Sequence, residues 1–342
     1  MTTIWSILLA ILIFGCIIAI HEFGHFIAAK RNGIQVNEFA IGMGPKIFRF
    51  QKGETLYSLR LFPVGGFCSM EGEDAESKNA RAFDQKPVWR RMIVVLAGAF
   101  MNLVLGFVLL IATTCSDPYL ISNTIHGFHK QATSNTCGLQ AGDTIVSLNH
   151  IFTITDLQYK LSNESGEPFT VVVERDGKKV KLQDVTFRDQ ENNDWLDFSL
   201  EPQQKTVFHV LSYAAKDTVA TGKLIWMSLT ELVTGKYGIQ DLSGPVGTVE
   251  VISNAATAGA TAAERISSVL HLTIFITINV GIFNLLPIPG LDGSRFWFLF
   301  LEAIRRKPVK KEHEALVHLL GMAALFLLMI VVTVQDVTRI FH

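Results

Sequence analysis

Cysteine is scarce in this 342-residue chain, and no two of the four stand at a spacing that would serve a thiolate metal site or a disulfide framework. Cys16, Cys68, Cys115 and Cys137 are scattered singly, which sets aside Cys-x-x-Cys zinc chemistry and a disulfide-stapled secreted fold. An excess charge is missing too. With a formal net charge of -1, nothing in the composition points to nucleic acid as a partner. Internal repeats are not evident, although paired halves are the usual mark of a transporter. What is present is apolar: 49% of the residues are hydrophobic and the mean hydropathy is +0.32. Charged residues still reach 18%, too many for a chain made only of membrane spans, so a polar portion accompanies the apolar runs.

The first apolar run, Ile4 to Ala29, is long enough to cross the ~30 Å hydrocarbon core as a helix. Its only acidic, basic or imidazole side chains are His21, Glu22 and His25. Polar groups at such depth are costly and mark a functional site by default. Met1 to Trp5 carries no basic residue and the run continues through the polar cluster, so the segment reads as a span and not as a cleaved leader.

On a helix, His21 and His25 lie about 40° apart on one face with Glu22 beside them, so two imidazoles can share one metal ion. Neutral imidazole suits zinc, and in His-Glu-x-x-His the glutamate serves as general base and not as ligand. A zinc site of this kind needs a third protein ligand. The candidate is Asp292 in Asn284-Leu-Leu-Pro-Ile-Pro-Gly-Leu-Asp-Gly293, where Pro287 and Pro289 break a helix next to a carboxylate. Depth agrees: at 1.5 Å per residue His21 lies about 26 Å down the first span, and Asp292 ~30 Å down the third.

Further spans are expected over Met92 to Cys115, Val269 to Pro289 and Ala315 to Val334, giving four in all. Lys30, Arg31, Arg90 and Arg91 fall between spans one and two, and Arg305, Arg306, Lys307, Lys310 and Lys311 between three and four. The excess of basic residues predicts that both loops are cytoplasmic and both termini extracytoplasmic. Ser116 to Ser268 then lies outside. Within it, Val207 to Tyr237 is apolar but interrupted by Lys216, Asp217 and Lys223; a fifth span there would invert the charge rule, so one or two amphipathic helices on the outer surface are expected. In the loop after span one, Lys46 to Phe50 and Thr55 to Leu61 flank Gln51-Lys-Gly-Glu54, a hairpin signal. Its apolar residues and the glycines Gly42, Gly44, Gly65 and Gly66 suggest a sheet dipping into the bilayer beside the metal.

These motifs resemble the site-2 protease family of intramembrane zinc metalloproteases. The likeness runs over nearly the whole chain: His21 to His25, Gly65-Gly66, Phe83 to Arg91, Leu139 to Asn149, Gly244-Pro245-Val246-Gly247 and Asn284 to Gly293. It departs at Ala99, where proline is common, and at Ser294, where a second glycine often follows; neither is a proposed ligand. The bacterial branch with one PDZ domain, resembling the regulator of sigma-E protease, has the same order of parts.

The resemblance implies a multi-pass α-helical membrane protein with a membrane-associated β-hairpin and one inserted extracytoplasmic PDZ domain. The parts are span one with the zinc motif (1–30), a cytoplasmic loop with the hairpin (31–91), span two (92–115), the PDZ domain (117–202), surface helices and linker (203–268), the Leu-Asp-Gly span region (269–304) and span four (315–336). It further implies Zn2+ on His21, His25 and Asp292, Glu22 as base, and Asn284, with Asn279, as substrate-binding amides. The substrates would be single-pass membrane proteins in a bacterial cytoplasmic membrane, such as anti-sigma factors already cut outside, or remnant signal peptides. The PDZ groove would take a peptide or a new C-terminus by strand addition. Two other classes compete: a transporter, which would show more spans, and an inactive PDZ-bearing receptor, which an intact Glu22 opposes.

Overall fold

A computed structural model describes residues 3–73, 75–117, 119–130, 132–148, 168–187, 197–236, 238, 242–309 and 311–341. The chain divides into two compact units, Met1–Leu109 with Thr230–His342, and Leu110–Leu229.

In the first unit, α1 (Thr3–Arg31) is one unbroken helix. It ends where Gly33 takes a left-handed conformation (φ +68°) and Ile34 N–H donates to Ala29 C=O at 2.9 Å, a glycine stop that frees the chain to turn into a strand. The hairpin follows as β1 (Val36–Lys52) and β2 (Thr55–Met70), antiparallel about the turn at Gly53-Glu54. Both strands run well past the predicted segments. Gly42, Gly44 and Gly65 have positive φ inside the strands and accompany shifts of register, so they act as bulges. Ile47, Phe48, Phe50, Leu61 and Phe62 are exposed on the hairpin.

Helix α2 (Val88–Ser116) continues the chain. Later come α3 (Val207–Val233), α4 (Pro245–Thr257), α5 (Ala262–Phe283), α6 (Asp292–Arg305) and α7 (Lys311–Phe341). A full capping box starts α5: the Thr261 hydroxyl accepts from Glu264 N–H while the Glu264 carboxylate accepts from Thr261 N–H. Among the described residues four helices are long and apolar enough to cross a membrane: Ile4–Arg31, Val88–Ser116, Ala262–Phe283 and Glu312–Arg339. The third ends at Phe283 and does not reach Pro289 as expected, because the Pro-x-Pro segment cannot continue the hydrogen-bond ladder. The segment expected to be amphipathic forms the single helix α3 and is not among the four.

The second unit holds a five-stranded antiparallel sheet of β3 (Leu120–Phe128), β4 (Thr144–Leu148), β5 (Phe169–Arg175), β6 (Lys178–Val185) and β7 (Phe198–Gln203), in the order β6-β5-β4-β3-β7. Period-two alternation on β5 turns Phe169, Val171 and Val173 into a core with Ile125, Leu139, Val185 and Phe198. Of the segment predicted as PDZ, residues 149–167 and 188–196 lie outside the described residues, as do Tyr237 and Lys310 of the other predicted segments.

Asp143, at the start of β4, is buried and receives a two-pronged contact from Arg175, Nε to Oδ1 and Nη2 to Oδ2, both at 2.7 Å. Burial acts to raise its pKa, but the hydrogen bonds from Arg175 and Gln140 N–H and the Arg175 charge hold the carboxyl below its ordinary value. Because the folded pKa is depressed, this contribution is present above the unfolded value of about 3.9 and is lost as pH falls through the folded one. Removing one partner of such a pair costs about 3 kcal/mol. Asp143→Ala is therefore expected to speed amide exchange of the β4 and β5 peptides roughly a hundredfold at neutral pH, with less acceleration in acid; hydrogen-exchange mass spectrometry of the full chain checks both.

Candidate metal centre

Because α1 is helical throughout, His21 and His25 lie one turn apart, both buried, their rings edge to face with centroids 4.9 Å apart. Asp292 comes from the far end of the sequence. After α5 stops at Asn284, the chain passes Pro287, Pro289 and Gly290 (φ +97°) before α6 begins at Asp292. Two contacts fix this loop against α7: Gly290 N–H donates to His318 Nδ1 at 3.2 Å, and Gly321 packs on Pro289 so closely that a Cβ would sit 2.3 Å from the Pro289 carbonyl oxygen. Gly293 is required for the same reason, since its Cβ would fall 2.1 Å from Leu286 O.

The result is a cluster of three donor atoms. Asp292 Oδ2 lies 2.9 Å from His21 Nε2 and 3.0 Å from His25 Nε2, and the two Nε2 atoms are 3.2 Å apart. Among the described residues this is the one His/Cys/Asp/Glu group that could hold an ion. A tetrahedral zinc with bonds of 2.0–2.2 Å keeps its ligands about 3.3 Å apart, so the triangle fits zinc within a few tenths of an ångström. The remaining ring nitrogen of His25 donates from Nδ1 to Val94 C=O at 2.8 Å, which leaves Nε2 with its lone pair for a metal. Asp292 retains 27% side-chain exposure against 10% for each histidine, so the cluster is open on the carboxylate side.

Glu22 is half-buried beside the cluster and accepts a hydrogen bond from Cys68 N–H on β2. Both imidazoles and the Asp292 carboxylate lie within Coulombic range of it. Gly66 packs against it; a Cβ there would be 3.4 Å from Glu22 Cγ and 2.9 Å from Ala40 O. The hairpin thus lies over the glutamate. Asn284 caps α5, its Nδ2 donating to Val280 C=O at 3.0 Å, and Asn279 lies half-buried in α5; no described hydrogen bond joins either to the His/Asp cluster.

Two residues escaped the sequence reading. Gly98 of α2 faces the imidazoles, and a Cβ there would stand 2.3 Å from His25 Nε2 and 2.8 Å from His21 Nε2. Asn102, one turn on, is fully buried with its amide 3.3 Å from His21 Nδ1. An asparagine within an apolar span was itself the signal.

Residues 9–328 match the family described as Peptidase family M50. The chain belongs to this family. The likeness to relatives is also full-length. A Clostridium acetobutylicum protein provisionally named a zinc metalloprotease is 37% identical, with 97% of each chain covered. The Bacillus subtilis regulator of sigma-W protease RasP is 32% identical, covering 98% of this chain and 99% of RasP, and the Bacillus licheniformis zinc metalloprotease RasP matches with the same identity and coverage. For a member of peptidase family M50, the closeness of α2 to the imidazoles makes a direct test. Gly98→Ala should lower the bound-zinc content of the purified protein at least tenfold while far-ultraviolet circular dichroism stays unchanged.

Proposed function

We propose that the chain is an intramembrane zinc metalloprotease that hydrolyses peptide bonds within the membrane segments of single-pass proteins. The observation that carries this reading is the convergence of His21, His25 and Asp292 beside Glu22, all on or next to helices apolar enough to span a bilayer. Membership of the M50 peptidase family and the zinc metalloprotease names of full-length relatives support it. The competing readings as a transporter or an inactive receptor gain no support from them.

His21, His25 and Asp292 would hold zinc, which when bound supplies a Lewis acid that polarises the scissile carbonyl and acidifies water. Glu22 takes a proton from the attacking water at a carboxylate oxygen, while Cys68 N–H steadies the other end of that side chain's hydrogen-bonding capacity. As the carbon–nitrogen bond breaks, Glu22 returns the proton to the departing amine. The protein must also unwind its substrate, because a helix hides its carbonyls in i to i-4 hydrogen bonds. In the β1–β2 sheet residues 38–41 pair on both sides, with residues 66–69 and with residues 56–59, which leaves the outer edges at residues 66–70 and 48–52 as the places where backbone groups would hold a substrate extended. Asn284 and Asn279 would bind backbone groups freed by the unwinding.

The bacterial relatives favour a cytoplasmic-membrane location, and the basic residues flanking the spans favour an orientation with the hairpin loop inside and both termini and residues 116–268 outside. The antiparallel sheet of that unit is compatible with a PDZ domain, which would screen substrates by size or receive a new C-terminus. The name of RasP, a regulator of sigma-W protease, favours anti-sigma factors trimmed on the outer side as substrates in regulated intramembrane proteolysis; remnant signal peptides fit the same chemistry.

Metal analysis of detergent-purified protein should find about one zinc per chain, and His21→Ala or Asp292→Ala should lose most of it. Glu22→Gln should keep the zinc and the fold yet slow cleavage of a single-span substrate by about 10²–10⁴-fold. Near-normal turnover in that variant would remove Glu22 as the base. Orientation is tested separately with cysteines introduced at two exposed lysines. A membrane-impermeant thiol reagent added to intact cells should label Lys178→Cys and leave Lys52→Cys unlabelled.

A further inference from the structure

Resting on the zinc reading, we propose that Asn102 of α2 is a positioning residue: its side-chain oxygen accepts the Nδ1–H of His21 and so reserves His21 Nε2 for the metal. The observations concern three atoms. His21 Nε2 points at Asp292 Oδ2 (2.9 Å) and His25 Nε2 (3.2 Å). A neutral imidazole has one N–H and one lone pair, so ligation through Nε2 requires the hydrogen on Nδ1. A buried N–H left without an acceptor would cost about 1–3 kcal/mol. His25 solves the same problem with Val94 C=O.

For His21 the neighbour is the Asn102 amide. Nδ2 lies 3.3 Å from His21 Nδ1, while Oδ1 of the same amide is buried with no hydrogen-bond partner. With Nδ2 against the ring, the amide can only donate to a lone pair on Nδ1. That tautomer places the hydrogen on Nε2 and blocks the metal. A half-turn of the amide exchanges its two ends, gives Nδ1–H its acceptor and relieves the orphaned oxygen at once.

The side chain is held for this task. Asn102 is fully buried, and its backbone carbonyl accepts from Thr277 Oγ1 of α5 at 3.2 Å. Thr277 precedes by two turns the helix end from which the Asp292 loop departs. The tautomer of one ligand is thereby set by a residue tied to the helix that leads to another. Supports of this kind are typically worth 10–100-fold in metal affinity.

The test is zinc affinity of the detergent-purified full chain, read by competition with a chromogenic chelator, for wild type, Asn102→Leu, Asn102→Ala and Asn102→Asp. Thermal unfolding of each zinc-free form serves as the folding control. Leu and Ala, which offer no acceptor, should weaken zinc binding 10–100-fold. Asp keeps an acceptor at the same reach and should stay within a few-fold of wild type, a rescue that a purely structural role would not give. Should the Leu variant fail to fold, Ala carries the comparison. Unchanged affinity in the folded acceptor-free variants, or an Asp variant as weak as they are, would overturn the assignment. A wild type that takes up no zinc would instead remove the metal reading, and the proposal with it.

Discussion

The close approach of α1 and α2 is the contact on which the site depends. A Cβ at Gly24 would fall 2.3 Å from Ala97 O, and one at Gly98 the same distance from His25 Nε2. Each glycine therefore gives way to backbone or side chain of the other helix, and the two backbones come together as small residues allow within a membrane. Three consequences follow from that proximity. The imidazoles are buried, Val94 C=O is within reach of His25 Nδ1, and Asn102 is within reach of His21 Nδ1.

The third candidate ligand is delivered by a different device. Asp292 is on a short helix that starts after a proline-broken loop, and backbone packing at Gly293, Gly321 and Pro289 leaves that loop little freedom. A similar close fit recurs at the start of α4, where Asp336 of α7 is buried and its Oδ2 accepts from Gly247 N–H at 2.7 Å. Any Cβ at Gly244 or Gly247 would come within 3.0 Å of that carboxylate. The Gly-Pro-Val-Gly segment is thus explained by a carboxylate at a helix N-terminus. At both places glycine admits a neighbouring helix, which is a packing role and not a hinge.

The candidate triad was legible because part of its physics is local: one helical turn separates His21 from His25, and polar groups at depth draw attention to themselves. Asp292 was proposed by motif and by a depth count that assumed an unbroken span, whereas the helix ends at Phe283 and the loop, not the helix, carries Asp292 to the imidazoles. The hairpin turn at Gly53 was also readable, but the strand lengths were not, since bulges at glycines with positive φ interrupt the alternation that marks a strand. The end of the third span was placed too late because apolar residues continue through Leu286 and Ile288 after the helix has stopped. Gly98 and Asn102 were missed for another reason. Their roles exist only between helices, at a crossing that no single-segment periodicity records, although Asn102 met the depth rule that singled out His21.

The central claim is that two imidazoles from the first span and one carboxylate from the start of the short helix α6 bind a single zinc. Zinc-edge X-ray absorption of the detergent-purified protein tests it most directly. The account predicts a first shell of nitrogen and oxygen only, with the outer-shell scattering of two imidazole rings. A sulfur shell from any of the four cysteines, or scattering from fewer than two imidazoles, would contradict it.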